Sequence, residues 1–142
     1  MAEQLTNTNF ASNLTGWDYD DDYYIHDSGW AKCQSYEDDF GDYGINDYMI
    51  WQDIDLEDTA DIKTATMSAD IAWDVQAGSG TWIKFRIKLK SPGGEWATVK
   101  TSSQYGPGSG EIQAWANDVD VKSYLQGGGD GTWLVGFMIE MS

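Results

Sequence analysis

The chain has 142 residues, with 24 acidic against 8 basic side chains, a net charge of −16 and 14% aromatic residues. That length suits one domain, 1–142, able to bury about 70% of its unfolded surface, and a 41% hydrophobic content excludes a disordered chain. The charge excludes nucleic-acid binding by phosphate neutralisation, while a single cysteine, Cys33, and a single histidine, His26, exclude a disulfide framework and a Cys- or His-built metal centre.

The opening residues, MAEQLTNTNF, have neither a basic start nor an apolar stretch, so no signal peptide is expected. In that setting the sequon Asn13-Leu14-Thr15 reads as chance. The longest apolar run, Trp133 to Ile139, is seven residues including a glycine, far short of the ~20 needed to span a bilayer. Charge is unevenly spread along the chain. Residues 18–61 hold 15 acids and one base, Lys32, whereas 82–100 hold five bases against Glu95 alone.

In chain order, Tyr48 to Leu56 alternates, with Ile50, Gln52, Ile54 and Leu56 opposite Met49, Trp51, Asp53 and Asp55. Met67, Ala69, Ile71, Trp73 and Val75 alternate with Ser68, Asp70, Ala72 and Asp74. From Trp82 to Lys90, Ile83, Phe85, Ile87 and Leu89 face one way and Trp82, Lys84, Arg86, Lys88 and Lys90 the other. A period of two is the mark of a half-buried strand, since a helix would scatter these residues around its circumference. The Gly-containing loop 76–80 predicts a hairpin between the second and third of these strands, placing Asp70 and Asp74 opposite the lysines. Ser91-Pro92-Gly93-Gly94 reads as a turn into a strand from Trp96 to Thr101. Val119 to Leu125 has room for one helical turn, and Gly127 to Gly131 forms a loop before a last strand, Thr132 to Met141, with Trp133, Val135, Phe137, Ile139 and Met141 on one face. Short strands with Gly-rich turns predict an all-β, antiparallel sandwich or barrel.

Several segments carry a resemblance. Leu5-Thr6-Asn7-Thr8-Asn9-Phe10 followed by Leu14-Thr15-Gly16-Trp17, the Gln-bearing strand around Gln52 with the strand 65–71 after it, and a closing segment with Trp115, Asp118 to Val121, Tyr124-Leu125 and Trp133 to Phe137 resemble the galactose-binding-like jelly rolls. That superfamily includes many carbohydrate-binding modules. The resemblance implies an antiparallel jelly-roll β-sandwich of about 8–10 strands. It also implies a structural Ca²⁺ held by an acid just after the first-strand Phe and an acid in the last strand. The position after Phe10 is Ala11, so only Glu140 of that pair is present.

Acids crowd the segment from Asp18 through Asp20, Asp21 and Asp22, a composition able to supply oxygen ligands to Ca²⁺ but without EF-hand spacing. Asp18, Asp20, Asp22 and Glu140 are therefore the candidate metal ligands, although a run of acids is most often a solvated loop. Sugar rings stack their C–H faces on aromatics, which makes Trp82, Arg86, Trp30 and Tyr24 the candidate ligand-binding residues. Trp73 and Trp133, in phase with apolar neighbours, are expected in the core, where most Trp and Tyr belong. Lys84, Lys88 and Lys90 form, with Arg86, a basic stripe that either pairs with Asp70 and Asp74 or docks against an acidic patch, including the 18–61 region of an identical neighbour. The latter would favour homo-oligomers.

No nucleophile elbow, Ser-His-Asp order or phosphate-cradling loop is present, so the chain is read as non-catalytic. Two function classes follow. One is a virion surface accessory, a capsid decoration, cement or tail component that binds a coat protein or other virion protein. The other is a carbohydrate-binding module recognising a polysaccharide, in an extracellular setting. Neither requires a cofactor beyond structural Ca²⁺, nucleic acid or membrane insertion.

Overall fold

The computed structural model describes residues 4–10, 12–20, 24–33, 46–75 and 80–141. Nine strands, one short α-helix and one 3₁₀ turn (Thr59–Asp61) lie among them, all strand pairs being antiparallel. The strands are β1 (Asp18–Tyr19), β2 (Tyr24–Asp27), β3 (Trp30–Cys33), β4 (Asn46–Leu56), β5 (Thr66–Val75), β6 (Ile83–Lys90), β7 (Trp96–Thr101), β8 (Gly108–Asp120) and β9 (Gly131–Met141), with α1 (Lys122–Gly128) before the last. The protein is an all-β antiparallel sandwich. Its main sheet has five strands in the order β1-β4-β9-β6-β7, while β5 pairs with β8 and β2 with β3.

The alternation read from the sequence decides which face of the main sheet is buried. On β6, Ile83, Phe85, Ile87 and Leu89 are buried, Ile87 completely. Tyr48, Ile50 and Gln52 of β4 and Trp133 and Val135 of β9 share that inner face. Three layers cover it. The β5–β8 pair brings Ile71, Trp73, Val75, Ile112 and Trp115 onto Ile83 and Phe85. Helix α1 contributes Leu125, which packs with Val121 onto Leu89 and Trp133. The N-terminal segment and the β2–β3 hairpin bring Leu14, Trp17 and Tyr24 onto Tyr48 and Ile50, with Ala31 and Cys33 at the margin. Burying a side chain such as Ile87 contributes about 1.5–3 kcal/mol, and fifteen hydrophobic residues are buried among the described residues.

One buried polar residue ties the N-terminal segment down. Gln52 is 5% exposed; its Oε1 accepts from the Thr6 amide at 2.8 Å, and its Nε2 donates to the carbonyls of Thr6 at 3.1 Å and Gly16 at 3.0 Å. Gly16 sits at φ +92°, and a Cβ there would come within 3.0 Å of Thr6 Oγ1, so only glycine turns the chain at this clamp without strain. The Trp17 indole donates to the Asn7 carbonyl at 3.1 Å, closing the same loop.

The hairpin expected between β5 and β6 does not form. β5 bonds only to β8 and β6 to β7 and β9, so the chain crosses from one sheet to the other between them; residues 76–79 of that connection lie outside the described residues. Periodicity fixes which side chains share a face but not which strand lies alongside, and a Gly-rich link serves an arch as well as a hairpin. Asp70 consequently sits away from the lysines, its Oδ1 accepting from the Ala114 amide at 2.6 Å. That contact and the Asp118 amide bonding to Ser68 Oγ at 3.0 Å cap the irregularities of β8, where Ala114 and Asp118 both have φ 51° and the register to β5 shifts twice. The turn at Ser91 closes as expected, with the Gly94 amide on the Ser91 carbonyl at 3.0 Å.

Candidate functional site

The buried clusters of the described residues lie on the inner face, and the composition of the opposite, outer face of the main sheet follows from register. Residues directly opposite one another point the same way, so each row across the sheet can be read off the pairing. Asp47 of β4, Glu140 of β9 and Lys84 of β6 form one row; Met49, Met138 and Arg86 the next; then Trp51, Gly136 and Lys88; then Asp53, Leu134 and Lys90, with Trp96 of β7 beyond. Asp18 of β1 stands beside Trp51. The face thus divides lengthwise into an acidic column on β4 and β1, a largely apolar column on β9 and a basic column on β6. With strands about 4.8 Å apart, the acidic and basic columns stand about 10 Å from each other.

Gly136 is the pivot of this surface. A Cβ there would lie 3.1 Å from both Met49 Sδ and the Trp96 ring. The missing side chain lets the Trp96 indole reach across β6 and rest over the centre of the sheet. Trp96, Trp51, Met49, Leu134 and Met138, with Asp20 and Asp47 at the rim, line a shallow cleft of about 350 Å³. At the far end of β6, Lys84 Nζ lies 5.4 Å from the centroid of the Trp82 ring.

The charged groups have definite partners. Arg86 pairs with Glu140 at 3.0 Å, both mostly buried (20% and 15% exposed). Lys32 pairs with Asp27 at 3.3 Å in the β2–β3 hairpin. Among the described residues Lys88 and Lys90 have no ion-pair partner. Partial burial, and then the neighbouring Glu140 carboxylate with its hydrogen bond, raise the Asp47 carboxyl above the usual aspartate range. On the core side, burial pushes the Tyr24 hydroxyl well up and the Cys33 thiol up to about 12.

The structure assembles some of the sequence-derived candidates and separates others. Trp82, Arg86, Lys84, Lys88 and Lys90 do share one face. The pairing of the lysines with Asp70 and Asp74 is replaced by Arg86 on Glu140, because β9 rather than β5 lies beside β6. Tyr24 is not a surface aromatic: it is 5% exposed, and its hydroxyl donates to the Tyr48 carbonyl at 3.1 Å. Trp30, half-buried on β3, belongs to the small hairpin and not to the outer face. Of the candidate metal ligands, Asp20 Oδ2 accepts from the Met49 amide at 2.7 Å, Glu140 is held by Arg86, Asp18 lies on the edge strand, and Asp22 lies outside the described residues. Among the described residues no three acidic, His or Cys side chains are grouped to hold a metal. Trp133 is in the core at 1% exposure, and Trp73 stacks on Tyr105 at 3.9 Å.

Trp51, Trp96 and Gly136 are the outer-face residues that the sequence reading did not single out. A signal existed for Trp51, which falls in phase with Met49 and Asp53, opposite the apolar set. Comparison with family models, with curated proteins and with solved structures returns no match to this chain.

Proposed function

We propose that this protein is a non-catalytic binding and structural module whose working surface is the outer face of the main sheet. The observation that carries the reading is the division of that face into acidic, apolar and basic columns, with Lys88 and Lys90 lacking ion-pair partners among the described residues. A surface with both signs of charge flanking half-buried Trp and Met side chains is suited to docking in one register against a complementary macromolecule. The setting proposed is the virion surface, where the module would be a capsid decoration, cement or tail component with the jelly-roll architecture of carbohydrate-binding modules, held to a coat or other virion protein.

A second reading, recognition of a polysaccharide, is favoured by Trp51 and Trp96 at the floor of the cleft and by Trp82 on the same face. Two binding assays separate the readings: retardation in gels loaded with a polysaccharide panel, and re-addition to particles stripped of the protein. A docking role predicts particle binding lost in Lys88→Glu/Lys90→Glu and kept in Trp82→Ala. A glycan role predicts retardation lost in Trp51→Ala and Trp96→Ala. Binding that ignores all of these substitutions refutes the outer face as the working surface.

A further inference from the structure

We infer that the outer face is self-complementary and that its partner is a second copy of this chain, docked face to face about a two-fold axis running along β9. The inference rests on the reading of that face as the working surface and names its occupant.

The argument is geometric. Rotation by 180° about an axis parallel to β9 and midway between two stacked sheets exchanges the sides of the face and keeps each residue at its level along the strands. The β4 column of one copy then lies over the β6 column of the other. From the observed register, Asp47 meets Lys84 of the second copy, and Asp53 meets Lys90. Met138 and Leu134 of β9 fall on the axis and meet their own equivalents, as does Glu140, whose charge Arg86 offsets within each copy. Gly136, also on the axis, is covered by the Trp96 indole of its own copy, so the Trp96 rings of the two copies meet at the centre of the contact. The other in-plane axis, across the strands, would lay acid on acid and base on base, so the charge pattern selects one arrangement. This is the isologous contact of a two-fold dimer, with the stacked sheets about 10 Å apart.

Size and charge are consistent with an assembly of modest affinity. Four inter-strand spacings by three same-face intervals give a face of about 19 by 20 Å, or roughly 400 Å² in projection per copy. The pair therefore covers roughly 800 Å² in projection, the size of a weak, reversible interface. Each copy carries −16, but that long-range repulsion is screened beyond about 8 Å at physiological ionic strength, which leaves the facing columns to decide.

The test is charge exchange followed by analytical ultracentrifugation. Lys84→Asp/Lys90→Asp makes the face predominantly acidic, and Asp47→Lys/Asp53→Lys makes it predominantly basic. Each variant alone is expected to lose association by roughly a hundredfold, because like charges then oppose one another. An equimolar mixture is expected to recover a dimer, since each reversed column then meets its opposite. Circular dichroism melting confirms that each variant is folded. Leu134→Cys, which leaves the charges intact, gives an independent readout: a short bis-maleimide should join two copies at the axis. A wild-type protein that sediments as a monomer throughout the micromolar range overturns the inference, as does a mixture that fails to recover association. If such a monomer still binds particles or polysaccharide through the outer face, the face stands and only the partner is wrong. If it binds neither, the proposed function fails as well.

Discussion

Replacing Gln52 with leucine tests how the N-terminal segment is attached to the sheet. The substitution keeps roughly the volume of the side chain and removes three hydrogen bonds at 2.8, 3.1 and 3.0 Å. Each is worth about 1 kcal/mol net, and a buried partner left unsatisfied costs more. Thr6 is exposed, so its amide and carbonyl regain water, and the leucine gains some apolar burial. The net loss is therefore about 2–3 kcal/mol. For a domain of this size, with a shift of about 3 °C per kcal/mol, Tm should fall by about 6–9 °C. Scanning calorimetry at neutral pH measures it, with the denaturant m-value as a check that the unfolded state is unchanged. A fall of less than about 2 °C would refute the clamp. Gln52→Glu sharpens the test. Its carboxylate would face the carbonyls of Thr6 and Gly16, so its folded-state pKa would rise above the ordinary glutamate value of about 4.3. Stability linked to the proton is then present below that value and lost as pH rises through the raised one. The deficit of Gln52→Glu relative to Gln52→Leu should therefore be larger at pH ~7 than at pH ~4.

The Cys33 thiol, pushed up to about 12 by burial, should not react with a disulfide reagent at mildly alkaline pH until the protein unfolds; fast native-state labelling would contradict the burial. For Asp47 the folded-state pKa is raised, so its protonated form favours folding and that contribution fades as pH rises. Asp47→Asn, which mimics the protonated form, should raise Tm above about pH 5 and leave it unchanged near pH 3; a uniform effect at both would dissociate Asp47 from Glu140. Gly128→Ala would place a Cβ 2.2 Å from the buried Trp133 ring, and overpacking of this kind costs about 1–3 kcal/mol, measurable by urea unfolding. Tyr24→Phe removes the bond to the Tyr48 carbonyl and should cost about 1 kcal/mol; an unchanged urea midpoint would place that bond outside the energetics of the core.

What the sequence made readable was faces, and what it hid was neighbours. The alternation from Tyr48, from Ile83 and from Trp133 placed the buried set on β4, β6 and β9 because one side of each strand meets a core, and Ile87 and Trp133 are as enclosed as the pattern required. β8 was not readable as a strand because its two shifts of register against β5 and the left-handed Ala114 and Asp118 break the period of two. The β2–β3 hairpin was missed because four-residue strands are too short to display a period. The candidate site was half visible. Parity put Trp82, Arg86 and the lysines together, but Trp51 and Trp96 join them only once β9 is inserted between β4 and β6. Nothing local to Gly136 announces that its missing side chain seats an indole from β7.

The position of β9 also governs how the chain reaches its native state. β4 and β6 are not bonded to each other; each is bonded to β9, which follows them by about 75 and 40 residues. Until residue 131 is available, the apolar faces of β4 and β6 have no strand between them. Closing such separations before any pairing offsets the entropy makes folding slow relative to proteins of local topology. A chain paused during synthesis before β9 emerges would display the apolar sides of β4 and β6 with their backbone edges unpaired, the condition in which nascent β-proteins associate wrongly or engage chaperones. The strand that completes the sheet is thus also the step on which its assembly waits.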